Sequence, residues 1–482
     1  MDNYNKYKVI VIGAGIAGCE AALNCSRMGL KTLIINISMD NPAMLKYSPK
    51  FGGRYKGNIL NEIKYFNNIL SNAIYINEIA KLKENINGIS IVSYIVEKRK
   101  FSLFYKYLLE SHKNLDTRQG LVTDIKEVNI NSAVEYEVVL NDNSKFYTEA
   151  IIITVGTFLN AKILWGKNNI NAGRHGEINS ISLSNTLKDM GYNLIKTRTY
   201  ISPSVDIKTI NLNKIEKVKS ELLENNNLSL DENDKEIKNI LNFKDYIKNE
   251  RSNKYFCYKS KTRISNLKKI FNTSYSNNIG IETLKMEIDN FYDDLSETIE
   301  NIVIKEKLKE DNELNISLYP EGNNTMSLYV EGFKSILSEE IQQLLLNQFY
   351  GLESCLMTKP GYCIEYFSID KSQLKKNFES KINNNIFFAG EVIGRSCYEE
   401  IILQGLLAGI NAALKIYGNR ELIIDDEKLF IGKFINLFFK NNFAQSYKNF
   451  ENLDIVINNY NTNEAKEIIK ANLNILNDYI DI

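Results

Sequence analysis

The apolar positions of this chain fall into short unbroken runs separated by glycine-bearing turns. Val9-Ile10-Val11-Ile12 is apolar throughout, as a strand buried on both faces requires, and Gly13-Ala14-Gly15-Ile16-Ala17-Gly18 follows it directly. A helix is predicted from Cys19 to Met28, then a second apolar strand at Thr32-Leu33-Ile34-Ile35. Far along the chain the same texture returns twice. Ile151-Ile152-Ile153 runs through Thr154-Val155 into Gly156, and Ile386-Phe387-Phe388-Ala389 runs into Gly390-Glu391, ahead of a helix carrying Gly405 and Gly409. Between these runs, residues 204–317 are dense in Lys, Glu and Asn, and 214–241 reads as solvated helix. Apolar spacing at Leu429, Ile431, Phe434, Ile435 and Phe438 marks a helical tail. No apolar run approaches the ~18 residues of a membrane span. The chain enters a strand almost at its first residue, so no leader is expected and the cytoplasm is the expected location.

The first strand, turn and helix have the order of a dinucleotide-binding unit. Gly13 permits the sharp turn, Gly15 lets backbone approach a pyrophosphate, and Gly18 lets the helix pack on the strand. Exposed amides at the helix start then hold phosphate. A bare packing turn is the alternative. The acid that ordinarily follows on the second strand, to bind ribose hydroxyls, is replaced by Asn36, with Asp40 the first acid beyond. Asn can accept the bond but gives up its charge-assisted part. The late strand into Gly390-Glu391 suits a second segment closing over a flavin, Glu391 toward the ribityl chain. An ordinary sheet strand is the alternative there.

Composition narrows the classes. Lys plus Arg and Asp plus Glu each number 59 in 482 residues, so bulk positive charge does not carry nucleic-acid binding. Six cysteines without a Cys-x-x-Cys pair, and two histidines (His112 and His175), argue against both a disulfide framework and a metal site. One local patch mixes aromatics with cations: Tyr255-Phe256-Cys257-Tyr258-Lys259-Ser260-Lys261-Thr262-Arg263, with Lys268-Lys269. It reads either as an RNA-contacting surface or as a solvated face.

Several blocks together resemble the GidA/MnmG family of flavin-dependent tRNA uridine-modifying enzymes. They are Gly156 to Lys162, Ala172-Gly173-Arg174-His175-Gly176-Glu177, Ser182-Leu183-Ser184, Tyr319-Pro320-Glu321-Gly322, Pro360 to Tyr366, Phe387 to Glu391, Tyr398-Glu399-Glu400 and Gln404 to Ala413. The resemblance implies an α/β fold: a glutathione-reductase-like, two-part FAD-binding Rossmann fold with an inserted domain and a short helical C-terminal tail. Its FAD-binding part would comprise 1–203 and 318–418, its insertion 204–317 and its tail 419–482. It implies FAD as cofactor, NADH as electron source, methylenetetrahydrofolate as one-carbon donor, wobble uridine of tRNA as substrate, and a GTPase partner. A homodimer is also carried as an expectation. The flavin site would use Gly13, Gly15, Gly18, Asn36, Gly52, Gly53, Lys56, Gly57, Gly156, Gly390, Glu391 and Gly405, the Gly-Gly-x-x-Lys-Gly block of 52–57 lining the cofactor.

The departures concern chemistry. The family carries a cysteine where Lys46-Tyr47-Ser48-Pro49 places Tyr47, and a second cysteine whose nearest match is Phe291-Tyr292-Asp293. A thiolate adds to the uracil ring in the family's reaction, and a phenol of pKa about 10 is a poor substitute. Tyr47 would act only if Lys46, Lys50 or Lys56 lowered its pKa by several units, so it is expected to be a packing residue. Cys397, near Gly390-Glu391, is a weak candidate, and His175 reads more readily as structural than as a group polarising the flavin. The family's C-terminal helical domain is represented only by the tail, which puts the GTPase contact in doubt. Three readings follow: a tRNA wobble-uridine enzyme, a divergent folate- and FAD-dependent RNA uracil-modifying enzyme with a changed target, and a non-catalytic flavin-binding relative.

Overall fold

A computed structural model describes residues 5–66, 69–86, 89–130, 133–218, 257–276, 298–300, 309–323, 325–394, 396–440 and 462–474. Its central sheet has seven strands: β1 (Lys6–Ile12), β2 (Thr32–Asn36), β3 (Leu115–Gln119), β4 (Val122–Ile130), β5 (Ala133–Leu140), β6 (Lys145–Ile153) and β7 (Ile386–Phe388). They run in the order β3-β2-β1-β6-β5-β4, with β7 also paired to β6. The β1/β2, β2/β3, β1/β6 and β6/β7 pairs are parallel, and β4 and β5 pair antiparallel. β1 lies between two parallel neighbours beneath helices, which explains its unbroken run of apolar residues. Distant parts of the chain meet in this sheet, where Ile153 pairs with Ile12 on one side and with Phe388 on the other.

Six of the helices are labelled α1 (Ile16–Arg27), α2 (Arg54–Ile63), α3 (Lys98–Ser111), α4 (Tyr398–Ile416), α5 (Phe430–Phe438) and α6 (Thr462–Leu473); Ile69–Asn77, Ile181–Asp189, Ile264–Ser276 and Glu339–Leu346 are also helical. α1 and α4 lie against each other because both present small residues. A Cβ on Gly405 would sit 2.2 Å from the Ala17 carbonyl oxygen, and one on Gly409 would sit 2.6 Å from that of Ala21. α5 is tied to α2 by the buried Glu62 carboxylate, which accepts from the Phe430 and Ile431 amides at 3.0 and 2.9 Å. That is a helix N-terminus satisfied by an acid from another helix.

Three further antiparallel sheets lie outside the central one, the smallest pairing Ile89–Val96 with both Lys50–Gly52 and Glu78–Ile86; the other two are larger. The first orders Asn168–Asn171, Lys162–Trp165, Tyr362–Ile369 and Leu194–Ile201 side by side. The second orders Glu216–Val218, Cys257–Arg263, Glu313–Pro320, Ser327–Glu331, Ser204–Asp206 and Met357–Lys359. The boundary expected at 317/318 falls inside the strand Glu313–Pro320, so the hydrogen-bonded sheet runs straight across it. The change in composition there reflects long polar segments, whereas the outgoing and returning chain share one sheet. Of the run 214–241, Glu216–Val218 is a strand and residues 219–241 lie outside the described residues. Among the described residues, no helix is long and apolar enough to cross a membrane.

Candidate functional site

The carboxyl ends of β1, β6 and β7 converge on a cleft with about 1210 Å³ of empty space. The cleft is open to solvent, and its lining runs from the Gly13–Ala17 turn to Glu391 and Tyr398. The three glycines of the first turn have different surroundings. Gly13 has φ +104°, and a Cβ there would lie 2.6 Å from the Thr154 carbonyl oxygen. A Cβ on Gly18 would lie 1.8 Å from the Gly13 carbonyl oxygen. Gly15 has an ordinary φ of −65°, lines the cleft, and a Cβ there would meet nothing within 4 Å. Two glycines therefore serve the close packing of turn, helix and strand, and the third keeps the floor of the cleft open. Asn36 also lines the cleft, but its carboxamide is engaged locally. Its Oδ1 accepts from the Ala14 amide at 3.1 Å and its Nδ2 donates to the Ser38 carbonyl at 2.5 Å. At this position the side chain braces the glycine turn.

Glu391 organises the other end. Gly390, at φ +83°, turns the chain after β7 and aims the buried carboxylate into the cleft. Lys46 Nζ makes an ion pair with Oε2, and the Tyr47 hydroxyl donates to Oε1. The Tyr47 hydroxyl also lies 2.6 Å from Thr199 Oγ1, and Lys46 stands 4.8 Å over the Tyr47 ring. The Tyr47 amide donates to the Tyr398 hydroxyl at 2.7 Å, seating the segment on the start of α4. Burial pushes the Tyr47 phenol well above its ordinary range, and the Glu391 charge pushes the same way. Lys46 has its pKa lowered by burial, against the pull of Glu391. The nearby cation thus pairs with the carboxylate and does not generate a phenolate. On the cleft wall Arg174 and Glu177 pair at 2.5 Å across a tight turn.

The remaining predicted positions separate. Gly156, at φ +58°, lines the cleft. Gly52, Gly53, Lys56 and Gly57 are not among the cleft-lining residues. The Gly52 amide donates to Glu399 at 2.6 Å, a Cβ there would lie 2.7 Å from the Val92 carbonyl oxygen, and the other three lie at or in the start of α2. Gly405 serves the α1–α4 contact. Cys397 is the N-cap of α4; burial raises its thiol pKa well above the usual value. Behind it the buried Glu400 accepts from the Cys397 amide at 3.0 Å and from the Tyr55 hydroxyl at 3.2 Å; burial pushes its pKa up to about 7, against the pull of that amide and Lys56. Asp293 lies outside the described residues, as do Tyr255 and Phe256 of the basic patch. Within that patch Lys259 pairs with Glu84 at 2.7 Å and Lys261 with Glu313 at 2.9 Å. Among the described residues no cluster of His, Cys, Asp and Glu could hold a metal ion.

Thr199 escaped the sequence reading because nothing local marks it; only the pairing of Leu194–Ile201 with Tyr362–Ile369 brings it near Tyr47. Glu321, in the Tyr-Pro-Glu-Gly block, proves to join the central fold to the six-stranded sheet. It accepts from Lys98 of α3 at 2.9 Å, and from Ser327 and Ser204 at 2.6 and 3.1 Å. Burial would raise this carboxylate, but Lys98, Lys359 and Ser327 hold it at about 2.

The family described as glucose inhibited division protein A matches residues 8–420. This chain belongs to that family. Curated relatives named tRNA uridine 5-carboxymethylaminomethyl modification enzyme MnmG include one from Alkaliphilus oremlandii, 31% identical over 438 residues, 90% of this chain. Another, from Latilactobacillus sakei, is 30% identical over 443 residues. The chain spans 65% of the length of each of these relatives. Aquifex aeolicus GidA superposes with a TM-score of 0.74 at 26% identity, covering 90% of this chain and 70% of the GidA chain. A second crystal form gives 0.73. The α/β architecture with its largely parallel central sheet is thus the GidA architecture.

Proposed function

We propose that the cleft holds FAD and that the protein acts on uridine in tRNA, as its curated relatives are named for doing. The observation that carries the cofactor reading is the open space beside Gly15, at the N-terminus of α1, where backbone amides and helix dipole favour a pyrophosphate. Gly13 and Gly18 hold that turn rigid, Gly156 leaves room along the ligand, and Gly390 lets the chain pass close to Ala17. Lys46 and Glu391 face the far end of the cleft, a paired cation and anion able to bind polar groups of a ribityl chain or ring. Bound FAD would supply electron transfer to and from a one-carbon unit, with NADH as electron source and methylenetetrahydrofolate as carbon donor. The cytoplasm, where tRNA is modified, suits this reading.

One observation supports a second reading, in which the reaction or target has diverged. A thiol-dependent addition to uracil needs an ionisable nucleophile, and Tyr47 is buried with its hydroxyl donated to Glu391. Tyr47 therefore does not take the cysteine's role. The experiment for the first part is release of FAD on denaturation of purified protein; colourless protein from cells replete in flavin refutes it. For the second, mass spectrometry of tRNA and rRNA nucleosides, with and without the gene, shows which uridine changes. Unchanged nucleosides throughout would leave only a non-catalytic flavin-binding role.

A further inference from the structure

One face of the four-stranded sheet is aromatic. Period-two alternation puts Ile163 and Trp165 of one strand, and Tyr362, Ile364 and Tyr366 of its neighbour, into a single apolar cluster. Tyr47 packs on the same cluster, so this face adjoins the end of the cleft where Glu391 lies. At its edge stands His175, with its ring centroid 5.7 Å from that of Trp165 and 6.2 Å from that of Tyr362. A packing histidine is ordinarily buried, but His175 is exposed at the tip of the turn that Arg174 and Glu177 close. Trp165 is only partly buried. Nearby charges are matched: Glu177 is paired with Arg174, and Glu365 with Lys196 and Arg198. Lys167, exposed in the turn after Trp165, has no ion pair among the described residues. Flat rings with open faces, a spare cation beside them and no unmatched acid are what an unpaired base with its phosphate requires.

We propose that Trp165 and His175 form a stacking platform that receives an unpaired pyrimidine base from a single-stranded loop of RNA and presents it to the Glu391 end of the cleft. This rests on the reading of the cleft as a cofactor site for uridine chemistry and adds the residues that would recognise the base. Lys167 meets the adjoining phosphate, and the Tyr362 ring supports His175 from behind.

The chain contains one tryptophan, so its emission reports directly on this platform. An RNA hairpin with uridine in its loop should quench that emission saturably in the purified full-length protein. His175→Ala should weaken RNA binding about fivefold or more, measured by anisotropy of the labelled hairpin, with flavin content unchanged. Trp165→Leu should do the same, and Trp165→Phe, which keeps a stacking ring in the cluster, should retain most of the affinity. If His175→Ala and Trp165→Leu both bind as tightly as the parent, the platform is refuted. Quenching by reduced nicotinamide dinucleotide with none by the hairpin refutes it also. Flavin is quantified in the same samples. Flavin-free protein with ring-dependent RNA binding overturns the cofactor reading alone, and flavin-loaded protein with ring-independent binding overturns the platform alone.

Discussion

Gly13, Gly15 and Gly18 share one motif but differ in what a side chain would meet. Gly15→Val adds bulk only to the cleft, so the variant should unfold within about 0.5 kcal/mol of the parent and yet carry no flavin. Gly18→Ala drives a Cβ into the Gly13 carbonyl and should lower the melting temperature sharply; retention of flavin by Gly15→Val would show that phosphate is bound elsewhere. Glu400 supplies a pH signature. Its folded pKa of about 7 lies above the ordinary 4.5, so the folded state keeps a proton that the unfolded chain has already lost. Its contribution is therefore complete below about pH 4.5 and declines as pH rises to about 7, by up to about 3 kcal/mol. Denaturant titrations across that window should show Glu400→Gln with a flatter profile than the parent. Tyr47→Phe leaves a buried Glu391 oxygen and the Thr199 hydroxyl without this donor or acceptor. About 1–3 kcal/mol of stability should be lost, while any RNA modification persists. Loss of modification at unchanged flavin content would make Tyr47 a catalytic residue.

Between elements, the Lys98–Glu321 pair is the joint that merits testing. It connects α3 to the six-stranded sheet, with both side chains mostly buried. Glu321→Gln leaves the Lys98 ammonium without its counter-charge and should cost about 3 kcal/mol or more. Because the Glu321 carboxylate is held near 2, its contribution is present above about pH 4.5 and fades as pH falls toward 2, the reverse of the Glu400 trend. An acid-unfolding midpoint unchanged in the variant would show that the joint does not bear on stability. What could be read from sequence follows the same division of scale. β1, β6 and β7 were legible because each is a continuous apolar run leading into glycine, and the turn and α1 because they follow the first of these directly. The Glu391 cluster was legible only in part. Lys46 and Tyr47 are adjacent, but Thr199 and Glu391 join them through strand pairing, which no local pattern encodes. Gly52, Gly53, Lys56 and Gly57 were expected to line the cofactor because their Gly-Gly-x-x-Lys-Gly block resembles the family's. Here the tight approach at Gly52 is to the Val92 backbone. The boundary at 317/318 was illegible because a polar composition does not tell which strands pair.

For the whole molecule, equal numbers of acids and bases mean that any RNA affinity would depend on a few unpaired cations. Lys259 and Lys261 already have carboxylate partners, so neutralising both should change the slope of log affinity against log salt by less than the ~0.7 expected for one phosphate contact to a single strand. A slope change of more than one unit would place RNA on that strand after all. The α1–α4 contact bears on how such a chain comes into being. Cys25 of α1 donates to the carbonyl of Gly409, 384 residues later, and Ala17 and Ala21 of α1 lie against Gly405 and Gly409 of α4. At about 5–20 residues per second, a ribosome needs roughly 20–80 s to deliver the partner helix after the first one emerges. Throughout that interval the side of α1 that will meet α4 lacks its partner helix. A chain truncated before α4 should therefore be less soluble than the full chain, which fractionation of cells expressing each would check.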